Sequence, residues 1–309
     1  MLLLTSAFGN QTRPLLPRLA KAGVAVRALR KTPGGEAELR SAGAAEVVIG
    51  DMADPAVLAK AMRGVSAVYH IGPSAHPLER EIGLNMVKAA QQAGVQHFIY
   101  SSVLHPIITP LLQHVRKRDV EEKLVESGLN FTILQPADFM QTVQYRYAFE
   151  TGVYKLIWGG EKRQSLVDLE DVADAATKVV RERSRHYGAR YELSSADCLN
   201  PAQIAKTISE VIGKPVKAVV DDVDDFLATW FGAAYNRKRM ASEYATFKAI
   251  SDWYWGHDFV GNANVLTMLL GRPPTTFREF IAREYDRRNE PQRFAGTGVE
   301  FPSLPRTGK

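Results

Sequence analysis

Short apolar runs alternate with longer segments of helical period along the first half of this chain, and that alternation restricts the fold more than any other feature. The runs are Leu2–Thr5, Val24–Leu29, Glu46–Ile49, Ala67–Ile71, His97–Ser101 and Phe131–Leu134. Each has the length of a buried strand. The segments between them repeat with helical spacing, as in 75–93, where Ile82, Met86, Ala89 and Ala90 fall on one face. Gly23, Gly94 and Gly128 stand where helices must end before the next strand. Asp54 and Pro55 open "DPAVLAKAM" as N-cap and first-turn proline. Strands that alternate with helices need right-handed crossovers, which predicts an α/β fold built on a doubly wound parallel sheet.

Composition narrows the function. The 309 residues carry a formal charge of +5, spread over "RALRK", "VRKRD", "RERSR" and "NRKRM". No dense basic run reads as a nucleic-acid arm, so no nucleic-acid partner is expected. The single cysteine, Cys198, allows neither an internal disulfide nor a cysteine zinc site, and no other metal pattern is present. "MLLL" is too short for a signal peptide, and no apolar run approaches the ~18 residues of a membrane span. A protein of the cytoplasm, off the membrane, is expected.

After residue 150 the pattern changes. "GVYKLIW" and "ARYELSS" read as strands, and "LVDLEDVADAATKVV" as a turn and a helix. "LNPAQIAKTISEVI" is a helix with Asn200 as cap and Pro201 in its first turn. Beyond 220 the chain is helical and aromatic, with Phe226, Trp230, Phe231, Tyr235, Trp253, Tyr254 and Trp255. The expected division is a Rossmann domain over 1–150, completed by segments within 160–195. A smaller, mostly helical lobe follows over 196–288, and the tail 289–309 reads as loop or disorder.

The first strand runs into "TSAFGNQTR", the place of a pyrophosphate loop. Such loops use three glycines, for the tight turn, for close approach of backbone to phosphate, and for helix packing. Registered this way, Ser6 replaces the first, Gly9 supplies the second and Thr12 replaces the third. Gly9 is the position nearest the phosphates, and the helix N-terminus favours an anion. Thr12 can add a hydroxyl donor there, and Arg13 a charge. An NAD site places an acid about 20 residues later for the ribose. Arg30 and Lys31 stand there instead and suit a 2′-phosphate, so NADP(H) is expected over NAD(H). The alternative is a Rossmann scaffold that has lost its nucleotide.

Taken together, "AFGNQ", "GDMADPAVLAKAMRGVSAVYHIGP", "AAQQAGVQHFIYSSVLHP", "VEEKLVESGLNFTILQPADFMQ", "LVDLEDVADAATKVV" and "HDFVGNANVLTMLLGRPPTTFREF" resemble the NmrA-like family of atypical short-chain dehydrogenase/reductases. The resemblance runs from residue 2 to about 285. It implies an NAD(P)-binding domain and a small lobe that shapes a substrate pocket. It implies no single activity, since the family holds quinone and dye reductases, relatives of isoflavone and benzylic ether reductases, and dinucleotide-sensing regulators. By position it assigns Gly9 to Thr12, with Asn10 and Gln11 between them, to the pyrophosphate, and Arg30 and Lys31 to the 2′-phosphate. Asp51 and Met52 would flank adenine. Ile71, Gly72 and Pro73 would lie beside ribose and nicotinamide, and Thr5, Ala7, Ser101 and Pro136 are further cofactor-binding candidates.

The tyrosine of the usual Tyr-x-x-x-Lys motif is missing. The resemblance places Gln113 at its position and Lys117 at that of the lysine, where relatives use a lysine alone for proton transfer. Spacing adds an independent argument: His114, Lys117, Val120 and Leu124 share one helix face, so Lys117 starts an inward stripe. An inward lysine must meet water, an anion or a cofactor, and can hold ribose or give a proton. A snorkelling lysine is the alternative. His114 could relay a proton, and Ser102 could bond a substrate carbonyl. His105, Phe139, Trp253 and Trp255 are candidates for a substrate pocket, alongside Met140. Two functions result: an NADPH-dependent reductase of a small aromatic, quinone-like or conjugated carbonyl compound, or a non-catalytic NADP(H) sensor that docks a protein partner. A homodimer is compatible with either.

Overall fold

The computed structural model describes residues 1–290. The tail expected from 289 lies, but for its first two residues, outside the described residues. In chain order the first elements are β1 (Leu2–Leu4), α1 (Thr12–Lys21), β2 (Val26–Arg30), α2 (Glu36–Ser41), β3 (Ala44–Ile49) and α3 (Pro55–Ala61). Next come β4 (Ala67–Ile71), α4 (Glu79–Gln92), β5 (His97–Ser101), α5 (Leu112–Glu126) and β6 (Phe131–Pro136). Then follow β7 (Asp138–Phe139), α6 (Tyr145–Thr151), β8 (Val153–Leu156), β9 (Gln164–Val167), α7 (Leu169–Glu182) and β10 (Ala189–Leu193). The last are β11 (Cys198–Leu199), α8 (Pro201–Ile212), β12 (Lys217–Val220), α9 (Val223–Phe231), α10 (Ala241–Gly256), α11 (Asn264–Leu270) and α12 (Phe277–Asp286).

Seven strands form one parallel sheet in the order β3-β2-β1-β4-β5-β6-β10. The six expected strands are all in it, and "ARYELSS" supplies the seventh as β10. Successive strand residues face opposite layers. Leu3, Leu29, Val68, Phe98 and Ile133 pack under α3, α4 and α5. Leu4, Ala28, Tyr69, Ile99 and Leu134 pack under α1 and α7. Each Leu, Val, Ile or Phe among them, fully buried, contributes about 1.5–3 kcal/mol. The helix stops fall where glycine marks them: Gly23, Gly94 and Gly128 have φ of 75°, 65° and 73°. Asp54 caps α3 through the Ala56 amide, and Asn200 makes a capping box on α8. Strand order reverses between β1 and β4, which opens a crevice at the carboxyl ends of these strands.

After Ala137 the chain leaves the large sheet. β7 pairs with β9, setting Asp138 beside Leu166. α6 therefore packs in the smaller lobe, although the sequence reading put it with the first 150 residues. Tyr145 meets Phe280 edge-on at 5.2 Å, and Phe149 meets Tyr285 at 5.2 Å. Met140, fully buried, belongs to that lobe's core rather than to a pocket. α10 crosses between the two parts. Tyr254 donates to Asp138 Oδ2 at 2.6 Å, and Arg116 of α5 donates to Ser242 and Thr246 at 3.0 and 3.2 Å. Among the described residues no helix is long and apolar enough to cross a membrane.

Candidate active site at the carboxyl edge of the sheet

The loop after β1 keeps the shape of a glycine loop with other residues. Ser6 holds φ 49°, the left-handed conformation that the first glycine would take, and its hydroxyl donates to Ile71 O at 2.9 Å. A side chain at Gly9 would press on Ser6 O at 3.1 Å. Thr12 corrects an expectation. Its hydroxyl is fully buried and lies 3.0 and 2.8 Å from the carbonyls of Ser6 and Gly9. It ties the loop together instead of facing a phosphate. Thr5 is likewise internal, with Oγ1 accepting from the Ile71 amide at 2.8 Å, and the Ala7 amide donates to Leu29 O at 3.2 Å. Gln11 Oε1 accepts from Ser101 at 2.7 Å, joining the loop to the end of β5. Asn10 Oδ1 is buried without a partner.

At the end of β2 the Arg30 guanidinium lies over the Phe8 ring at 4.4 Å, with Nε buried and unpartnered. Gly35, at φ 72°, allows the next loop to close on both, since a side chain there would meet Arg30 Nη1 and Phe8 Cζ at 2.6 Å. Arg13 approaches the same ring at 5.7 Å. Lys31 and Asp51 form an exposed ion pair at 2.8 Å. That pair, with the Ala53 amide, holds the Asp51 carboxyl below its ordinary range. Met52 packs partly buried against the α3–α5 layer.

Beyond β4, Gly72 and Pro73 lead to a turn in which Ala75 has φ 64°. Close by is the feature that sequence reading missed. Lys117 Nζ meets Glu79 Oε1 at 2.8 Å, with side chains 7% and 1% exposed. The other Glu79 oxygen accepts the Ala75 amide at 3.1 Å. The inward stripe on α5 is present: His114, Lys117, Val120 and Leu124 are buried, and Glu121 with them. Gly83 brings α4 against α5, because a methyl group there would collide with Val120. Glu79 is one turn before Gly83, and Lys117 one turn before Val120, so the two charges meet. Gln113 Oε1 is buried and unpartnered one turn before Lys117. His70, also unremarked from sequence, stacks on Tyr100 at 5.7 Å, and its Nε2 has no partner. Burial first, and then the Lys117 charge, push its pKa down to about 3. No sequence signal separated Glu79 from Glu81, since acids are ordinary in a first helical turn.

Other expected site residues are engaged elsewhere. His114 Nδ1 is 2.9 Å from His105 O, and burial lowers its pKa to about 4, so the ring is neutral and held by that carbonyl. His105 is bound to the lobe, with Nε2 2.7 Å from Val260 O and Nδ1 3.6 Å from Glu192. The Val260 carbonyl occupies Nε2, which ties the ring to the lobe. Ser102 is the exception: it is buried beside Glu121 with its Oγ unpartnered, while burial raises the Glu121 pKa against the bond from Gln135. Pro136 O accepts the Leu104 amide at 2.8 Å. Phe139 and Trp253 are partly buried against the layer containing Ile71 and Phe259. Trp255 is 50% exposed and lies against Gly159 and Val220, away from these residues.

Comparison with known proteins follows this geometry. A model of the NmrA-like family matches residues 1–280. The NAD(P)H azoreductase of Xenophilus azovorans is 25% identical over 283 residues, 91% of this chain and 96% of that protein. Quinone oxidoreductase 2 of Escherichia coli is 26% identical over 294 residues, covering 94% of this chain and all (100%) of its own. The crystal structure of that NADPH-dependent enzyme with NADPH has a TM-score of 0.76 at 24% identity, covering 92% of this chain and 100% of the other. The structural match is one of fold.

Proposed function

The chain belongs to the NmrA-like family, and from that premise we propose that it is an NADPH-dependent reductase of a small aromatic, quinone-like or conjugated carbonyl compound. Lys117 carries the reading. It is a buried ammonium at the carboxyl edge of a sheet whose order makes that edge a dinucleotide crevice. The residues present fit the cofactor. Asn10 Oδ1, Arg30 Nε and Gln113 Oε1 are buried polar atoms without protein partners, on segments that border the crevice. The loop around Gly9 would hold the pyrophosphate, and Arg30 with Lys31 the 2′-phosphate, which supports NADP(H) over NAD(H). NADPH, when bound, supplies a hydride.

Lys117 provides the proton that reduction of a carbonyl or quinone oxygen requires, and Gln113 takes the place a tyrosine holds in ordinary short-chain dehydrogenases. Phe139 and Trp253 offer an apolar wall and keep water from the reacting atoms. Calorimetry with NADPH and NADH, followed by NADPH consumption with a quinone, an enone and an azo dye, tests the reading. We expect consumption with at least one acceptor. Lys117→Met should cut turnover about 10²–10⁴-fold while cofactor binding changes far less. Full turnover in Lys117→Met would overturn the proton role. The missing tyrosine favours a second reading, an NADP(H) sensor. Tight NADPH binding with no acceptor consumed would establish that one instead.

A further inference from the structure

Lys117 would be an unusual group to leave alone beside a substrate, because a bare ammonium in a dry pocket draws any anion strongly. It is not alone. The Gly83–Val120 contact fixes the helix spacing, and the Ala75 amide fixes the carboxylate, so Glu79 meets the ammonium from a set position. We propose that Glu79 is a positioning residue that decides specificity: by cancelling the Lys117 charge it makes the site accept uncharged substrates in preference to anionic ones. The inference rests on the reading that Lys117 borders the substrate.

The groups packed around the pair leave it as the local charge balance. From β4 and β5 come His70 and Tyr100, both held neutral by burial. On α5 itself, His114 is neutral for the same reason. Glu121 lies one turn further on and is occupied by Gln135 Nε2 at 2.9 and 3.0 Å; Arg190 and Lys117 act on it only at a distance, which makes it a weaker second countercharge to Lys117 than Glu79. Arg116 turns to α10, where it meets hydroxyls only. Removing the Glu79 charge therefore uncovers a cation, and removing the Lys117 charge uncovers an anion. A structural support role would change both classes of substrate alike; a charge role must separate them.

The test compares naphthoquinone with its ring-sulfonated derivative on the full chain with NADPH. The readout is the ratio of kcat/KM for the sulfonate to that for the neutral quinone. Equilibrium binding of the same two compounds in the presence of NADP⁺ is measured in parallel. Glu79→Gln should raise the sulfonate-to-neutral ratio about tenfold or more, given the strength of a single charge at contact distance. Lys117→Met should lower the binding ratio, and the double variant should return it close to wild type. Ratios unchanged in both single variants overturn the proposal. If Glu79→Gln does not fold, the direction of the Lys117→Met shift decides. If the wild type turns over neither quinone, the reductase reading fails, and the binding ratios alone still decide the role of Glu79.

Discussion

Ser6 shows how a loop built for glycine can tolerate its replacement. The left-handed backbone at φ 49° is costly for a residue with a Cβ, and the bond to Ile71 O offsets part of that cost. Ser6→Ala should therefore destabilise the protein by about 1 kcal/mol, since strain stays and the bond goes, while Ser6→Gly should be near neutral. Urea unfolding of the two variants checks the order. Thr12→Val should likewise cost about 1 kcal/mol of stability through the lost ties to Ser6 and Gly9. NADPH affinity should fall much less than in Arg30→Ala. The Arg30→Ala variant should lose roughly tenfold or more for NADPH and little for NADH, as a charge-assisted phosphate contact is worth about 1.5–3 kcal/mol. Equal losses for both cofactors by calorimetry would remove the 2′-phosphate assignment.

Among the elements, α4 and α5 determine the candidate active site by their separation. Gly83 against Val120, the Arg80–Asp119 pair at 2.5 Å and the Glu79–Lys117 pair lie along one contact line. Gly83→Ala should wedge the helices apart, costing about 1–3 kcal/mol despite the better helix propensity of alanine. The same change should lower turnover by displacing Lys117, which a melt and an NADPH assay on one sample would show. α12 depends on a different buried link. Asp168, fully buried, caps α7 through the Glu170 amide and accepts from Gln141 and from Arg283 of α12, each at 2.6 Å. Asp168→Ala leaves Arg283 with Glu284 as its carboxylate partner and removes the cap, so a loss of about 2–4 kcal/mol is expected. A denaturation midpoint close to wild type would show that α12 docks through Phe277, Phe280 and Ile281 alone.

For the molecule as a whole, three buried histidines set the response to acid. Burial lowers His70 to about 3 and both His97 and His114 to about 4, against 6.5 for a free ring. Below pH 6.5 the unfolded chain takes up protons that the folded chain refuses, so stability rises with pH in that window and falls as pH drops toward 4. The buried carboxyls of Glu121 and Asp138, raised by burial, offset part of this. The slope is at most about 1.4 kcal/mol per pH unit for each ring, roughly 4 for three. That is comparable to the whole stability of an ordinary domain within two pH units. The urea midpoint should hold above pH 7 and fall steeply from pH 6 to 5. An unchanged midpoint at pH 5 would mean that these rings are protonated without unfolding.

Local pattern determined most of this fold and little of its chemistry. Strand length, helical period and terminal glycines are written in consecutive residues, so the doubly wound sheet, its helix ends and the inward face of Lys117 were all legible. The place of α6 was not, because the exit of the chain at Ala137 depends on β7 finding β9, a pairing between residues 28 apart (Asp138 with Leu166). Nor was the inward turn of the Thr12 hydroxyl, since a threonine in a loop reads the same whether it faces a ligand or its own backbone. The tertiary structure alone decided that Lys117 meets Glu79. Those residues are 38 positions apart and on different helices, and only the missing side chain of Gly83 lets the helices come close enough for the charges to touch. Periodicity tells which face of an element is buried. What stands opposite that face is a matter of packing, and packing is where this site acquires its charge.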